Sequence, residues 1–159
     1  MAYGETTIRA RIKTVLEGVT DIGAVHDYER WTDDWDSLLQ QFKVNVGGVE
    51  QIRGWIITLQ RLKPETIGFQ GGGVTGTILA TYTYLVRGFL GVEDASETEK
   101  TMTALALAAA WALENDATLR SEDLDKETPV VTELYQDYRM FGGVLCHYVE
   151  MRVEPQEVM

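Results

Sequence analysis

The sequence predicts an α+β fold: a mainly antiparallel β-sheet with an N-terminal helix and a long helix packed on one side. Four of its five strand-like segments come in two pairs with no helix inside a pair, whereas a parallel α/β sheet would place a helix after each strand. Residues 75–91, "TGTILATYTYLVRGFLG", are dense in β-branched and aromatic residues, whereas residues 98–115 repeat apolar residues at helical spacing. With 159 residues and 45% hydrophobic content, the chain predicts one domain over residues 1–159.

The N-terminal part of the chain predicts a helix, a strand and a short helix. Residues 5–18 carry apolar side chains at helical intervals, and residues 24–31 alternate as a strand does. A short helix follows over residues 33–42, with Asp33 or Asp34 as its N-cap. We expect one side of this short helix to carry its apolar residues, which are Trp35, Leu38, Leu39 and Phe42.

The centre of the chain predicts two strands separated by a glycine-rich loop. The first strand covers residues 52–62 and is expected to stop at Lys63-Pro64, because proline donates no hydrogen bond to a neighbouring strand. The loop then covers residues 64–76, and the strand at 75–91 follows it. The loop contains a formal GxGxxG, but a strand follows it where a nucleotide-binding site needs a helix, so we expect no cofactor there.

The long helix and the C-terminal strands complete the predicted sheet. Ser96 and Glu99 form a candidate capping box, and the helix continues to about Asn115. Its predicted core stripe contains Met102, Leu105, Ala106, Ala109 and Leu113. An acidic loop is expected over about 115–129, followed by two strands joined in a hairpin at Gly142-Gly143.

Cys146 and His147 are adjacent in the last strand and are the obvious candidates for chemistry. Successive side chains of a strand point to opposite faces, so the two residues cannot share a proton or a metal ion. We expect His147 on the apolar face as a core or interface residue, and Cys146 packed as a small hydrophobic residue. The other histidine, His26, lacks the HExxH spacing of a zinc site. The sequence therefore predicts no catalytic, cofactor or metal site.

The composition argues against a surface that grips nucleic acid or a membrane. The formal net charge is −11, from 25 acidic and 14 basic residues, whereas phosphate binding needs clustered Lys and Arg. The sequence contains no apolar run of transmembrane length, and charges interrupt the N-terminal segment where a signal peptide would be apolar. A single cysteine suits a reducing cytoplasm.

Three stretches carry an overall pattern, residues 8–31, 83–116 and 134–157: "IRARIKTVLEGVTDIGAVHDYERW", "TYLVRGFLGVEDASETEKTMTALALAAAWALEND" and "LYQDYRMFGGVLCHYVEMRVEPQE". In this order they resemble the tail-terminator or tail-completion family of tailed bacteriophages and prophages. The resemblance covers most of the chain and lies in the order of elements, since the family has no catalytic signature. It implies an α+β virion protein, assembled in the host cytoplasm, that forms a ring, usually a hexamer, on the head-proximal end of the tail tube.

The resemblance also implies partners, and the chemistry of the side chains suggests contact residues. The ring would contact the tail tube protein and the connector or neck proteins, and genomic DNA would pass through its acidic lumen without specific binding. The interface candidates are Arg87 and Arg139, as strand-end cations facing a neighbour's carboxylates, and Trp31 and Tyr148, as aromatic anchors.

Three alternative functions stay open: another head-tail joining protein (stopper or adaptor), a small cytoplasmic enzyme using Cys146 or carboxylates, and a ligand-binding module using aromatic faces.

Overall fold

The computed structural model describes residues 4–30, 32–69, 76–119 and 129–158, with the side chains of 67–69 and 94 excepted. Three α-helices are described: α1 (Gly4–Glu17), α2 (Trp35–Gln40) and α3 (Thr98–Glu114). The strands are β1 (Ala24–His26), β2 (Lys43–Val46), β3 (Val49–Phe69), β4 (Gly76–Gly91), β5 (Val131–Phe141), β6 (Val144–Val153) and β7 (Gln156–Val158). None of the described helices is long and apolar enough to cross a membrane.

The described strands form one mixed, mostly antiparallel sheet with the order β1-β3-β4-β6-β5. β2 pairs with the first residues of β3, and β7 pairs with β4 beyond the end of β6. Only the short pair β1-β3 is parallel. With α1 and α3 packed on this sheet, the predicted α+β class is confirmed.

Helices α1 and α3 bury their apolar stripes against one face of the sheet. The residues of these stripes that are buried are Ile8, Ile12 and Leu16 in α1 and Met102, Leu105, Ala106, Ala109 and Leu113 in α3. The stripe predicted for α3 is thus confirmed residue by residue. Burial of each large side chain contributes about 1.5–3 kcal/mol, and this face holds the larger of two apolar cores.

The opposite face of the sheet carries a smaller aromatic core under α2. Phe42 lies at its centre and makes edge-on contacts with Phe89 and Phe141. Cys146 and Tyr148 of β6 point into this core, whereas Val149 and Met151 point into the larger one. Both faces of β6 are therefore buried over its central residues, and the predicted separation of Cys146 from His147 is confirmed.

Two glycines let aromatic rings lie directly against the sheet. A Cβ atom at Gly88 would lie 2.6 Å from the ring of Trp55, and one at Gly54 would lie 2.3 Å from the ring of Phe42. Trp55 is buried in the larger core, and its indole N–H donates to the carbonyl oxygen of Ile22 at 3.0 Å. The two rings occupy the space that a side chain at either glycine would need, so both strands depend on glycine there.

Pro64 does not end its strand, contrary to the sequence prediction. β3 continues to Phe69, and Pro64 pairs with Ala80 of β4. Among the described residues, β1 and β2 pair with β3 only between Val49 and Ile56, so Pro64 lies on a free edge. Proline is tolerated on such an edge because no second strand needs its missing N–H. The glycine-rich loop predicted at 64–76 therefore begins no earlier than residue 70, and residues 70–75 lie outside the described part.

Other local predictions were wrong at element ends. The strand expected at 24–31 ends at His26, and the exposed Trp35 does not join the apolar side of α2. Glu97, with φ 53°, occupies the N-cap position of α3, and no side chain caps it, so the Ser96 capping box does not form. A 3-10 turn at 94–96 precedes α3 and displaces Ser96 from the cap position.

Two hairpins in the described part of the chain turn on glycine pairs. Gly142 and Gly143 have φ values of 58° and 81°, and Phe141 pairs with Val144, so this predicted hairpin is confirmed. Positive φ at both central residues is what the favoured two-residue hairpin turn requires. Gly47 and Gly48 do the same between β2 and β3, and this hairpin was not predicted.

Candidate functional site

β5 is an edge strand whose outer side is unpaired among the described residues. It runs for 11 residues and pairs with β6 alone, without a break from Glu133 to Phe141. Almost every side chain of β5 is exposed, including Met140 at 65% and the apolar Leu134 and Tyr138. A long edge strand with exposed apolar side chains is a template for pairing with another chain.

One flank of α3 lies beside β5 and extends the same surface. Near one end of the contact, Thr103 Oγ1 donates to Gln136 Oε1 at 3.0 Å. Near the other, Glu114 Oε2 accepts from the backbone N–H groups of Val130 and Val131, both at 2.9 Å. The flank between these contacts carries Leu107 and Trp111, which are 60% and 72% exposed.

We call the exposed apolar side chains of this region the β5–α3 surface. They are Leu107, Trp111, Leu134, Tyr138, Met140 and Leu145. Register places the four strand residues on the sheet face that carries α3, because Tyr138 pairs with His147 and Met140 pairs with Leu145. Scattered apolar residues on a surface are ordinary, but a contiguous group beside an open strand edge marks an interaction site.

The opposite face of β5 is polar and internally paired. Tyr135 donates its hydroxyl to Asp137 at 2.7 Å, which raises the pKa of Tyr135 and lowers that of Asp137. Glu133 forms an ion pair with Arg152 at 3.3 Å, and the guanidinium of Arg139 lies 3.9 Å from the ring centroid of Tyr148. This face therefore holds alternating charges along the same open edge.

The second open edge lies at the opposite end of the sheet, on the outer half of β3. Residues 57–69 pair with β4 alone within the described part of the chain. This edge carries Arg61 and Lys63, with Lys63 Nζ 2.6 Å from the carboxylate of Glu65, and Pro64 follows directly. Lysine and proline are common on edges that do not pair with other strands, so the two edges of the sheet differ in kind.

The predicted interface residues are not brought together. Trp31 lies outside the described residues. Arg87 lies within β4, away from its ends, and its guanidinium pairs with Glu29 of the same chain at 2.7 Å, so it is not a strand-end cation. Tyr148 is 1% exposed and leaves no surface for a neighbour, because it packs in the smaller core. Arg139 is exposed on β5 and is the one candidate among the three described that lies on the open edge.

Cys146 and His147 occupy separate buried environments. The thiol of Cys146 is fully buried, and burial raises its pKa to about 11. His147 Nε2 lies 2.8 Å from the hydroxyl of Thr98, and burial lowers the pKa of His147. Thr98 in turn hydrogen-bonds with the backbone of Glu93, so this histidine fixes the turn that leads into α3.

A buried polar cluster ties both ends of the described chain to the sheet. The carboxylate of Glu157 accepts from the hydroxyl of Tyr82 at 2.9 Å and from the N–H of Gly4 at 3.1 Å. The hydroxyl of Tyr84 donates to Glu5 of α1. Burial, followed by the bond to Glu157, raises the pKa of Tyr82 to about 12. These contacts fasten β7 and the start of α1 to β4.

Comparison with protein-family models and curated sequences gives no relative for this chain. No protein-family model matches it, and no curated protein sequence matches it at a significant level. Within the described residues, no group of three or more His, Cys, Asp or Glu side chains is arranged to hold a metal ion. The β5–α3 surface is therefore the candidate functional site that the geometry itself singles out.

None of the six residues of this surface is among the interface candidates that the sequence suggested. Leu107 and Trp111 were missed, although the signal was present: they are four residues apart and lie off the core stripe of α3. Apolar residues outside the core stripe of an amphipathic helix have no partner within the predicted fold.

Proposed function

We propose that this chain is a structural assembly protein of a phage tail, of the tail-terminator type. The observation that carries the proposal is the β5–α3 surface, an open strand edge continuous with an exposed apolar helix flank. An open strand edge beside exposed apolar side chains is a surface that another protein chain can cover. The similarity of three stretches of the sequence to tail-completion proteins supplies the kind of assembly, a ring that is usually a hexamer.

The two open edges of the sheet suit a ring. Each contact in a ring joins two different patches, one on each neighbour, so every subunit must carry both. β5 and the outer half of β3 lie at opposite ends of the sheet order and carry different residues. In the proposed ring, the β5–α3 surface of one copy packs against the outer half of β3 in the next copy through side chains, because Lys63 and Pro64 disfavour strand pairing there.

The charge of the chain fits a passage for DNA. The net charge is −11, and phosphates are repelled by a surface that is acidic and lacks clustered cations. In the proposed function, the ring stands on the head-proximal end of the tail tube in the virion. There it ends polymerisation of the tube protein and offers its other side to the connector or neck proteins. DNA passes through the lumen without specific binding.

The buried state of Cys146 favours an assembly role over thiol chemistry. A nucleophilic cysteine needs exposure, a nearby base and a lowered pKa. Cys146 has no exposed area, and burial raises its pKa to about 11. The proposal therefore assigns no catalytic role to this thiol and no cofactor to the chain.

The test is assembly on tail tubes, observed by negative-stain electron microscopy. Tubes polymerised from the tail tube protein of the same phage or prophage should carry a ring at one end when this chain is added, and should stop growing. Met140→Lys should abolish capping, because it places a charge in the β5–α3 surface. Val49→Lys is the matched control, since Val49 is a similarly exposed apolar residue (55%) at a distant hairpin.

Two outcomes would overturn the proposal. Tubes that grow unchanged and uncapped at saturating concentrations of the chain would exclude the terminator role. Binding to isolated heads in place of tubes would identify a stopper or adaptor, the other kind of head-tail joining protein. Equal loss of capping with Met140→Lys and Val49→Lys would exclude the β5–α3 surface as the contact.

A further inference from the structure

The open edge of β5 lacks two of the features that keep edge strands from pairing, lysine and proline. It contains neither lysine nor proline over its 11 residues, "VTELYQDYRMF", whereas the outer half of β3 carries Lys63 and Pro64. A head-to-tail contact that forms freely would also give open filaments wherever closure fails. The chain therefore needs a partner for β5 before it reaches a tube.

We propose that two free copies pair their β5 strands antiparallel, about a two-fold axis at Gln136. In this register Glu133 of one copy lies opposite Arg139 of the other, and Leu134 lies opposite Tyr138. Tyr135 lies opposite Asp137, a donor and an acceptor that already bond within one chain at 2.7 Å. The three opposed pairs between Glu133 and Arg139 are thus opposite in charge, apolar or hydrogen-bonding, which are the pairs that stabilise antiparallel strands.

Sliding the register by two residues in one direction removes this agreement. An axis at Tyr135 sets Glu133 against Asp137, two like charges facing each other, and such pairs destabilise a sheet. A shift by one residue also moves every side chain to the opposite face. The charges at 133, 137 and 139 therefore select the axis at Gln136 over that neighbouring register.

The flank of α3 adds apolar area to the same contact. A two-fold axis perpendicular to the sheet keeps the helices of both copies on one face of a continuous sheet. Gln136, at the axis, is bonded to Thr103 of α3, so each α3 lies beside the axis. Leu107 and Trp111 on that flank are exposed in the single chain and face the space between the two copies. The pair buries the β5–α3 surface of both copies at once.

This inference goes beyond the proposed function, because the pair is not a ring contact. A two-fold pair uses the same surface on both copies and closes at two subunits. It competes with the head-to-tail contact for β5, so it keeps the free chain from growing filaments until tube ends offer a stronger contact. The dimer is a storage form of the assembly protein.

Cysteine cross-linking tests the axis directly. The variant carries Gln136→Cys together with Cys146→Ala, which removes the chain's single natural cysteine. Opposed residues of antiparallel strands lie about 4.5–5.5 Å apart at Cα, within the range for a disulfide. Mild oxidation should convert this variant to one covalent dimer of twice 17.9 kDa.

The matched control is Thr132→Cys with Cys146→Ala. Thr132 is exposed on the same strand, but the proposed register separates its two copies by about eight residues, or roughly 27 Å. It should cross-link at least about tenfold more slowly. Equal rates for the two variants, or no dimer with Gln136→Cys, would overturn the proposal.

A charge exchange tests the same register without cysteine. Arg139→Glu sets two carboxylates opposite each other and should raise the dimer dissociation constant at least about tenfold by native mass spectrometry. Adding Glu133→Arg exchanges the two charges and should restore dimerisation. A double variant as weak as the single one would contradict the register. Dimers without rings on tubes would overturn the proposed function alone, and rings without dimers would overturn only this inference.

Discussion

The reactivity of Cys146 gives a quantitative prediction. Its side chain is fully buried in the smaller core of the sheet, and burial raises its pKa from 9.0 to about 11. Because thiolate is the reacting form, a rise of two pKa units lowers the thiolate fraction at pH 8 about 100-fold. The reagent also has no path to the sulfur until the sheet opens locally, which slows the reaction further.

The assay is reaction with a chromogenic disulfide reagent at pH 8, in buffer and in 6 M guanidinium chloride. We expect native Cys146 to react at least about 100-fold more slowly than the unfolded chain, and Cys146→Ala to give no signal. A native rate within about tenfold of the unfolded rate would show that Cys146 is not protected by burial in the folded chain. It would reopen the enzyme hypothesis, because the thiol would then be accessible and ionised.

Three further predictions concern the stability of the fold. Because burial lowers the pKa of His147, neutral His147 contributes to the free energy of unfolding above about pH 6.5, and this contribution is lost as pH falls below that value. Urea unfolding should show this loss in the wild type and less of it in His147→Gln. Gly88→Ala should destabilise by about 1–3 kcal/mol through its clash with Trp55, whereas the roomier Gly91→Ala should not. Tyr82→Phe should lower the free energy of unfolding by about 1–3 kcal/mol, since it removes the hydroxyl that donates to the buried carboxylate of Glu157; an unchanged melting temperature would contradict this.

The central sheet and the long helix were predictable because their signals are local. The core stripe of α3 follows from its 3.6-residue period, and the hairpin at Gly142-Gly143 follows from the φ values that only glycine adopts easily. The separation of Cys146 from His147 follows from strand alternation alone. Each of these features depends on a few neighbouring residues, so the sequence contains the whole cause.

The wrong predictions depended on contacts between distant residues. Pro64 is compatible with a strand only because no described strand pairs with the outer side of β3 at that point. The sequence of β3 alone does not indicate whether a neighbouring strand is there. Ser96 lost the capping position to a 3-10 turn that Thr98 and His147 hold, and these two residues lie 49 positions apart. Propensity was overridden by tertiary contacts in both places.

The candidate site was the least predictable feature, because exposure is a property of the folded chain. Tyr148 and Arg87 have the residue types of an interface, yet one is buried in a core and the other pairs with Glu29. The exposure of Leu107 and Trp111 was not predicted, because both lie in a helix that is apolar along most of its length. The type of residue suggested an interface, and only the packing of α3 beside β5 located it.

The position of this chain in the assembled particle tests the central claim most directly. A reconstruction of the virion of the parent phage or prophage by electron cryomicroscopy would show it. If the proposed function is correct, this chain forms a closed ring between the tail tube and the neck, with β5 of each subunit at a contact with its neighbour. Density for the chain elsewhere in the particle, or a tail-neck junction without it, would exclude that function.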